Sequence, residues 1–180
     1  MQSIHRMSIP VLLALLVGGA ALSARADDAC LDFKWDVSQE RALFAGTPAA
    51  VTTGKDPASA PVVVPNRLYK LRLAPQDSVA FPATPAKKTP ASAAYAGLAA
   101  LKIAVPGSYR IAVDLPLWID VVSQGALIQA ADFQGQHACA APHKIVVFDL
   151  AGVQPFMLQF SSAASDSILL TVTASPIRKF

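Results

Sequence analysis

The sequence predicts an all-β domain, an antiparallel sandwich or barrel of about eight short strands with one short N-terminal helix. Three observations carry that prediction. Apolar and polar residues alternate with period two over short windows along most of the chain. Turn and loop signals, among them Pro106-Gly107, Gln124-Gly125 and Ala151-Gly152, separate these windows, and turn signals every 8–12 residues are the mark of sandwiches and barrels. Pro48, Pro57, Pro61 and Pro65 forbid a regular helix over 45–66, which reads as a long irregular loop.

The elements follow in order. Leu31, Phe33, Trp35 and Val37 alternate with Asp32, Lys34, Asp36 and Ser38, the pattern of a half-buried strand. Ser38 is placed to cap a short helix through Phe44, with Glu40 in its first turn and Gly46 ending it. Val62–Val64 is short enough to pair briefly at an edge. Arg67–Leu73 reads as a strand with Tyr69, Leu71 and Leu73 on one face, and Ser78–Phe81 as its short companion. Residues 82–94 form a second Pro-rich loop. Further strands are expected at Leu98–Val105, Tyr109–Asp114, Leu117–Ser123, Ala126–Phe133, Lys144–Leu150, Pro155–Ser161 and Ile168–Ala174. The alternative is a mixed α+β fold in which the Ala- and Leu-rich stretch 91–100 is helical.

The N-terminus reads as an export signal. His5 and Arg6 precede an apolar run, Ile9 to Leu22, which ends before Ala24-Arg25-Ala26, an A-x-A cleavage site. The run is about 14 residues, short of the roughly 20 needed to span a bilayer, and Asp27 does not suit a lipid-attachment signal at Cys30. The expected organisation is therefore a signal peptide at 1–26 and a single domain at 27–180, periplasmic or secreted, with no stable membrane anchor after cleavage. Arg6 and Arg25 leave with the leader, so the net charge falls from +3 to about +1. No Lys/Arg cluster exceeds Lys87-Lys88 or Arg178-Lys179, which gives no footprint for nucleic acid. Cys30 and Cys139 form an even pair in an oxidising compartment and are expected to be disulfide-bonded.

Tyr69–Leu73 together with Leu101-Lys102-Ile103-Ala104-Val105-Pro106-Gly107-Ser108-Tyr109-Arg110-Ile111-Ala112-Val113 resembles bacterial pre-peptidase C-terminal domains. Those are secreted, jelly-roll-like β-sandwiches whose hallmark is a Pro/Ala-Gly-x-Tyr turn feeding a strand. The similarity spans about 65–125. It implies a jelly-roll-like sandwich more than an activity, because members of that family sit beside a catalytic domain that this chain lacks. The whole chain also looks like a secreted proteobacterial protein.

His137, His143 and Asp149 are the candidate metal-ligating set. Two imidazoles and a carboxylate are the donors of a non-haem iron dioxygenase, and with Cys30 and Cys139 reduced the same loop would suit zinc. The plainer reading takes both histidines as loop residues flanking a disulfide cysteine, and it is preferred. Ser108 belongs to a hairpin turn, with no Gly-x-Ser-x-Gly elbow. Asp114 and Asp120 read as solvent-facing carboxylates and not as a glycosidase pair. Trp35 shares the parity of Leu31 and Phe33 and is placed in the core. Trp118 shares the parity of Asp120 and not that of Ile119 and Val121. It is therefore a candidate stacking platform for sugars or partner aromatics near Tyr95 or Tyr109, or else lies under the 82–94 loop. The resulting expectation is a cell-envelope binding or accessory module with no catalytic site and no cofactor. Its partner is an envelope protein or glycan. A small Fe- or Zn-dependent enzyme is the alternative.

Overall fold

A computed structural model describes residues 30–87 and 94–175; the expected signal peptide at 1–26 lies outside the described residues, as does part of the 82–94 loop. After a 3-10 turn at Cys30–Asp32 comes one helix, α1 (Ser38–Phe44). Twelve strands follow among the described residues. They are β1 (Ala49–Thr52), β2 (Val62–Val63), β3 (Tyr69–Arg72), β4 (Ala74–Pro75), β5 (Tyr95–Leu101) and β6 (Gly107–Val113), then β7 (Trp118–Ser123), β8 (Ala126–Ile128), β9 (Asp132–Gly135), β10 (Lys144–Leu150), β11 (Phe156–Ala163) and β12 (Ser167–Ala174). They form two sheets, β1-β3-β12-β6-β10-β9 and β2-β5-β11-β7-β8, with β4 added beside β5.

Eight of these strands explain the architecture. β3 pairs antiparallel with β12, β5 with β11, β6 with β10 and β7 with β8. These are the rungs of one long hairpin. Rolling it up places successive strands in opposite sheets, except β7 and β8 at its tip, and brings β12 against β6 and β11 against β7, again antiparallel. The result is a jelly roll, the architecture named for eight-stranded double sheets. Pro106-Gly107 is correspondingly not a hairpin turn. It is an arch between sheets, and Tyr109 Oη closes it by donating to the Val105 carbonyl at 2.7 Å.

Two pairings depart from the antiparallel expectation: β1 with β3 and β2 with β5 are parallel. β1 arises inside the stretch expected to be loop. Residues 53–68 then cross over before β3 begins, and a crossover of that length lets neighbours run the same way. The 31–38 alternation is also real but does not make a strand. Phe33 and Val37 are buried and Leu31 is 72 % exposed. Their segment is held alongside β9 by a side chain: Gln134 Oε1 accepts from the Lys34 N–H, and Gln134 Nε2 donates to the Asp32 carbonyl. The helix ends at Phe44 as expected but begins one residue early: Ser38 is its first residue and not its cap, Val37 holds the cap position without a side-chain cap bond, and the Ser38 N–H donates to Asp36 Oδ1. Ser78–Phe81 makes no strand, and its first residue ends a 3-10 turn at Gln76–Ser78. The 126–133 strand divides into β8 and β9, and 95–101 is strand, which removes the helical alternative for that stretch.

Period-two burial then defines three layers. Leu71, Ile111, Phe148, Leu158, Phe160 and Leu170 meet between the sheets. The outer face of the first sheet is covered by Phe33, Val37 and the Cys30–Cys139 disulfide, packed on Ala112 and Ile145. Val79 packs on Ala96 and Leu98 on the outer face of the second.

Candidate functional site

The inner rows continue to the sandwich's open edge, where β9 ends one sheet and β8 the other. β10 turns Lys144, Val146 and Phe148 inward, and its register sets Gly135 and Phe133 opposite Lys144 and Val146. Phe133 thus extends the inner face past β10, yet it is 66 % exposed because no strand of the second sheet reaches over it. Between these strands and β7–β8 opens a cleft of about 690 Å³, whose floor includes Ile119, Ile128, Phe133, Val146 and Phe148. That volume suits a small-molecule ligand.

One end of the cleft is polar. Trp118 leads β7, and its Nε1 donates to Asp120 Oδ1 at 2.9 Å. The ammonium groups of Lys144 and Lys87 lie 4.8 and 5.5 Å from the centre of the Trp118 ring, within cation–π range. Lys144 Nζ also donates to the Leu117 carbonyl at 2.9 Å. Burial first, and then the charge of Lys87, lowers the Lys144 pKa; Asp120 opposes that shift.

Buried polar groups on the outer face of the second sheet hold Lys87 there. Asp120 Oδ2 accepts from the Ala86 N–H and from Gln159 Nε2, and Gln159 Oε1 accepts from the Ala83 N–H. The described part of the 82–94 loop, through Lys87, therefore does lie against Trp118, on the side where these contacts fall. Asp120 and Gln159 are buried because the backbone donors of this loop satisfy them.

His137 and His143 complete the mouth. The 136–143 loop is pinned at its base by the Gln136 N–H to the His143 carbonyl and by the His143 N–H to the Val113 carbonyl. Cys139 ties it to Cys30 with Cα atoms 4.8 Å apart. The two imidazoles meet edge to face with centroids 5.0 Å apart. Burial, His137 and Lys144 lower the His143 pKa, in that order.

Asp149 does not join them. It lies six residues beyond His143 on β10, roughly 20 Å along an extended strand, exposed and opposite Ser108. No group of three His, Cys, Asp or Glu able to hold a metal exists among the described residues. Both cysteines are committed to the disulfide. Tyr109 is also elsewhere, 7 % exposed in the core and occupied in closing its arch, so it is no companion platform to Trp118. Asp114 and Asp120 bond into opposite sheets: Asp114 Oδ1 accepts from the Leu169 N–H on β12.

No protein-family model, curated protein or solved structure matches this chain.

Of the cleft residues, the sequence pointed to Trp118, His137 and His143. It missed Lys87, Phe133 and Lys144. Lys144 carries a usable signal, since it has the parity of Val146 and Phe148 and so opens an inward row with a charge. Phe133 carries none, because its exposure follows from which strands end the sheets.

Proposed function

We propose that this chain is an exported binding module of the cell envelope whose ligand lies in the cleft between β7–β8 and β9–β10. The cleft carries the reading: an apolar floor with polar groups gathered at one end is the common form of a small-molecule site. On this reading Trp118 serves as a wall of the pocket and not as a flat stacking platform. The export half rests on the leader and on the Cys30–Cys139 disulfide, which suits an oxidising compartment. It also accords with the lack of any membrane-crossing helix among the described residues. The resemblance to secreted pre-peptidase C-terminal domains points the same way.

The test uses Nile red, a neutral apolar dye. The chain from Asp27 is expected to bind it at one site, and Phe133→Asp with Leu127→Asp is expected to abolish binding. Both side chains are exposed, so the variant keeps its core. Absence of binding, or binding unchanged in the double variant, overturns the reading. Export is tested separately by the mass of the protein in the envelope fraction, expected to begin at Asp27.

A further inference from the structure

We propose that the ligand is a medium-chain alkyl carboxylate, its head between Lys87 and Lys144 and its tail along Val146, Phe148 and Phe133. This rests on the cleft being the ligand site and names what it takes.

The charge at the polar end is unbalanced. Two ammonium groups converge on one indole, and neither has a carboxylate within ion-pair distance among the described residues. Asp120 lines the same cleft, but Trp118, Ala86 and Gln159 take up its oxygens. Like charges held together at a partly dry site repel more than they would in water. A bound anion reverses that cost. A cationic ligand would add to it.

The rest of the cleft selects the body of the ligand. From Lys144 to Phe148 the inward row runs roughly 13 Å, charged at its start and apolar beyond. A decyl chain matches that length. A glycan would set its hydroxyls against Ile119, Val146 and Phe148, which offer no side-chain partner, and polar groups buried without partners are costly.

The head is also free to be chosen experimentally. Lys144→Met keeps the apolar stem and removes a half-buried charge, so the variant is expected to fold.

The experiment is displacement of Nile red from the chain beginning at Asp27 by decanoate, decanol, decyltrimethylammonium or a neutral maltooligosaccharide. Decanoate is expected to bind at least tenfold more tightly than decanol, and Lys144→Met to bring it down to the decanol level. Decyltrimethylammonium and the oligosaccharide are expected not to compete. Equal affinity for decanoate and decanol, full decanoate affinity in Lys144→Met, or displacement by the cation or the sugar each overturns the carboxylate. All three leave the cleft in place as a binding site. If Nile red itself is not held, the binding-module reading falls first.

Discussion

Glu40, the one glutamate of the sequence, is 1 % exposed. It sits in the first turn of α1 where the helix lies on the first sheet. There its Oε1 accepts from Thr173 Oγ1 on β12 and, at 3.5 Å, from Arg110 Nη1 on β6. Arg110 also donates to the Asp36 carbonyl and places its guanidinium 5.4 Å from the Trp35 ring centre. Removing one member of a buried pair strands the other charge. Arg110→Met is therefore expected to destabilise the fold by about 3–5 kcal/mol in urea titration, and Glu40→Leu with Arg110→Met by clearly less. At the cleft mouth the expected signal is pH dependence. His143 has its pKa lowered below 6.5, mainly by burial, so below 6.5 the unfolded chain binds the proton more readily than the folded one. Stability then falls as pH drops from 6.5 towards the lower folded value and is untouched above it. His143→Gln is expected to flatten that part of a stability–pH curve. Asp114, raised above 3.8 by burial, has the opposite sign, costing stability as pH climbs from 3.8.

The disulfide and the 136–143 loop act as one element. Cys139 lies 109 residues after Cys30, and closing a loop of that size restricts the unfolded chain by about 4–5 kcal/mol in the chain-entropy account. Reduction is expected to lower stability by up to that amount and to weaken Nile red binding, because the same loop carries His137 and His143. Unchanged binding after reduction would separate the tie from the cleft. At this scale the sequence was legible wherever strands obey period two and end at turns. Lys144–Leu150 has the bounds read from its pattern, and Tyr69, Leu71 and Leu73 share the buried face expected of them. It was illegible where tertiary partners decide. Ala-Ala-Val-Thr at β1 is too weakly apolar to announce a strand, and it pairs because β3 offers an edge. Phe33 and Val37 show a strand's pattern but pack on the disulfide, and Gln134 holds the backbone between Asp32 and Lys34; neither partner lies in a local window. The cleft was hidden for a related reason: its walls come from four strands whose adjacency appears only once the long hairpin is rolled.

Across the whole molecule, the outer rungs of that hairpin join distant parts of the chain, with Leu71 opposite Ile168 and Leu98 opposite Gln159. Folds dominated by such pairings search longer before contact energy offsets loop entropy. With the disulfide intact, refolding from urea is expected on the millisecond-to-second scale typical of all-β sandwiches, measured by stopped-flow tryptophan fluorescence. Microsecond folding would show that local structure in α1 or the β7–β8 hairpin dominates the barrier. The same rolling sets aside one edge of the sandwich as an opening. β8 and β9 close it only in part, which leaves Phe133 and Leu127 at the surface without exposing the central core.

In a rolled hairpin the strands made first find their partners last. β3 waits for β12, and Cys30 waits for Cys139, 109 residues later. A chain made amino end first therefore leaves β3 without its antiparallel neighbour until β12 has been made. A product that stops short of Ser167 leaves β3 and β6 without the neighbour they share. Incomplete chains would then remain open to proteases, so the topology itself would discriminate finished copies from unfinished ones.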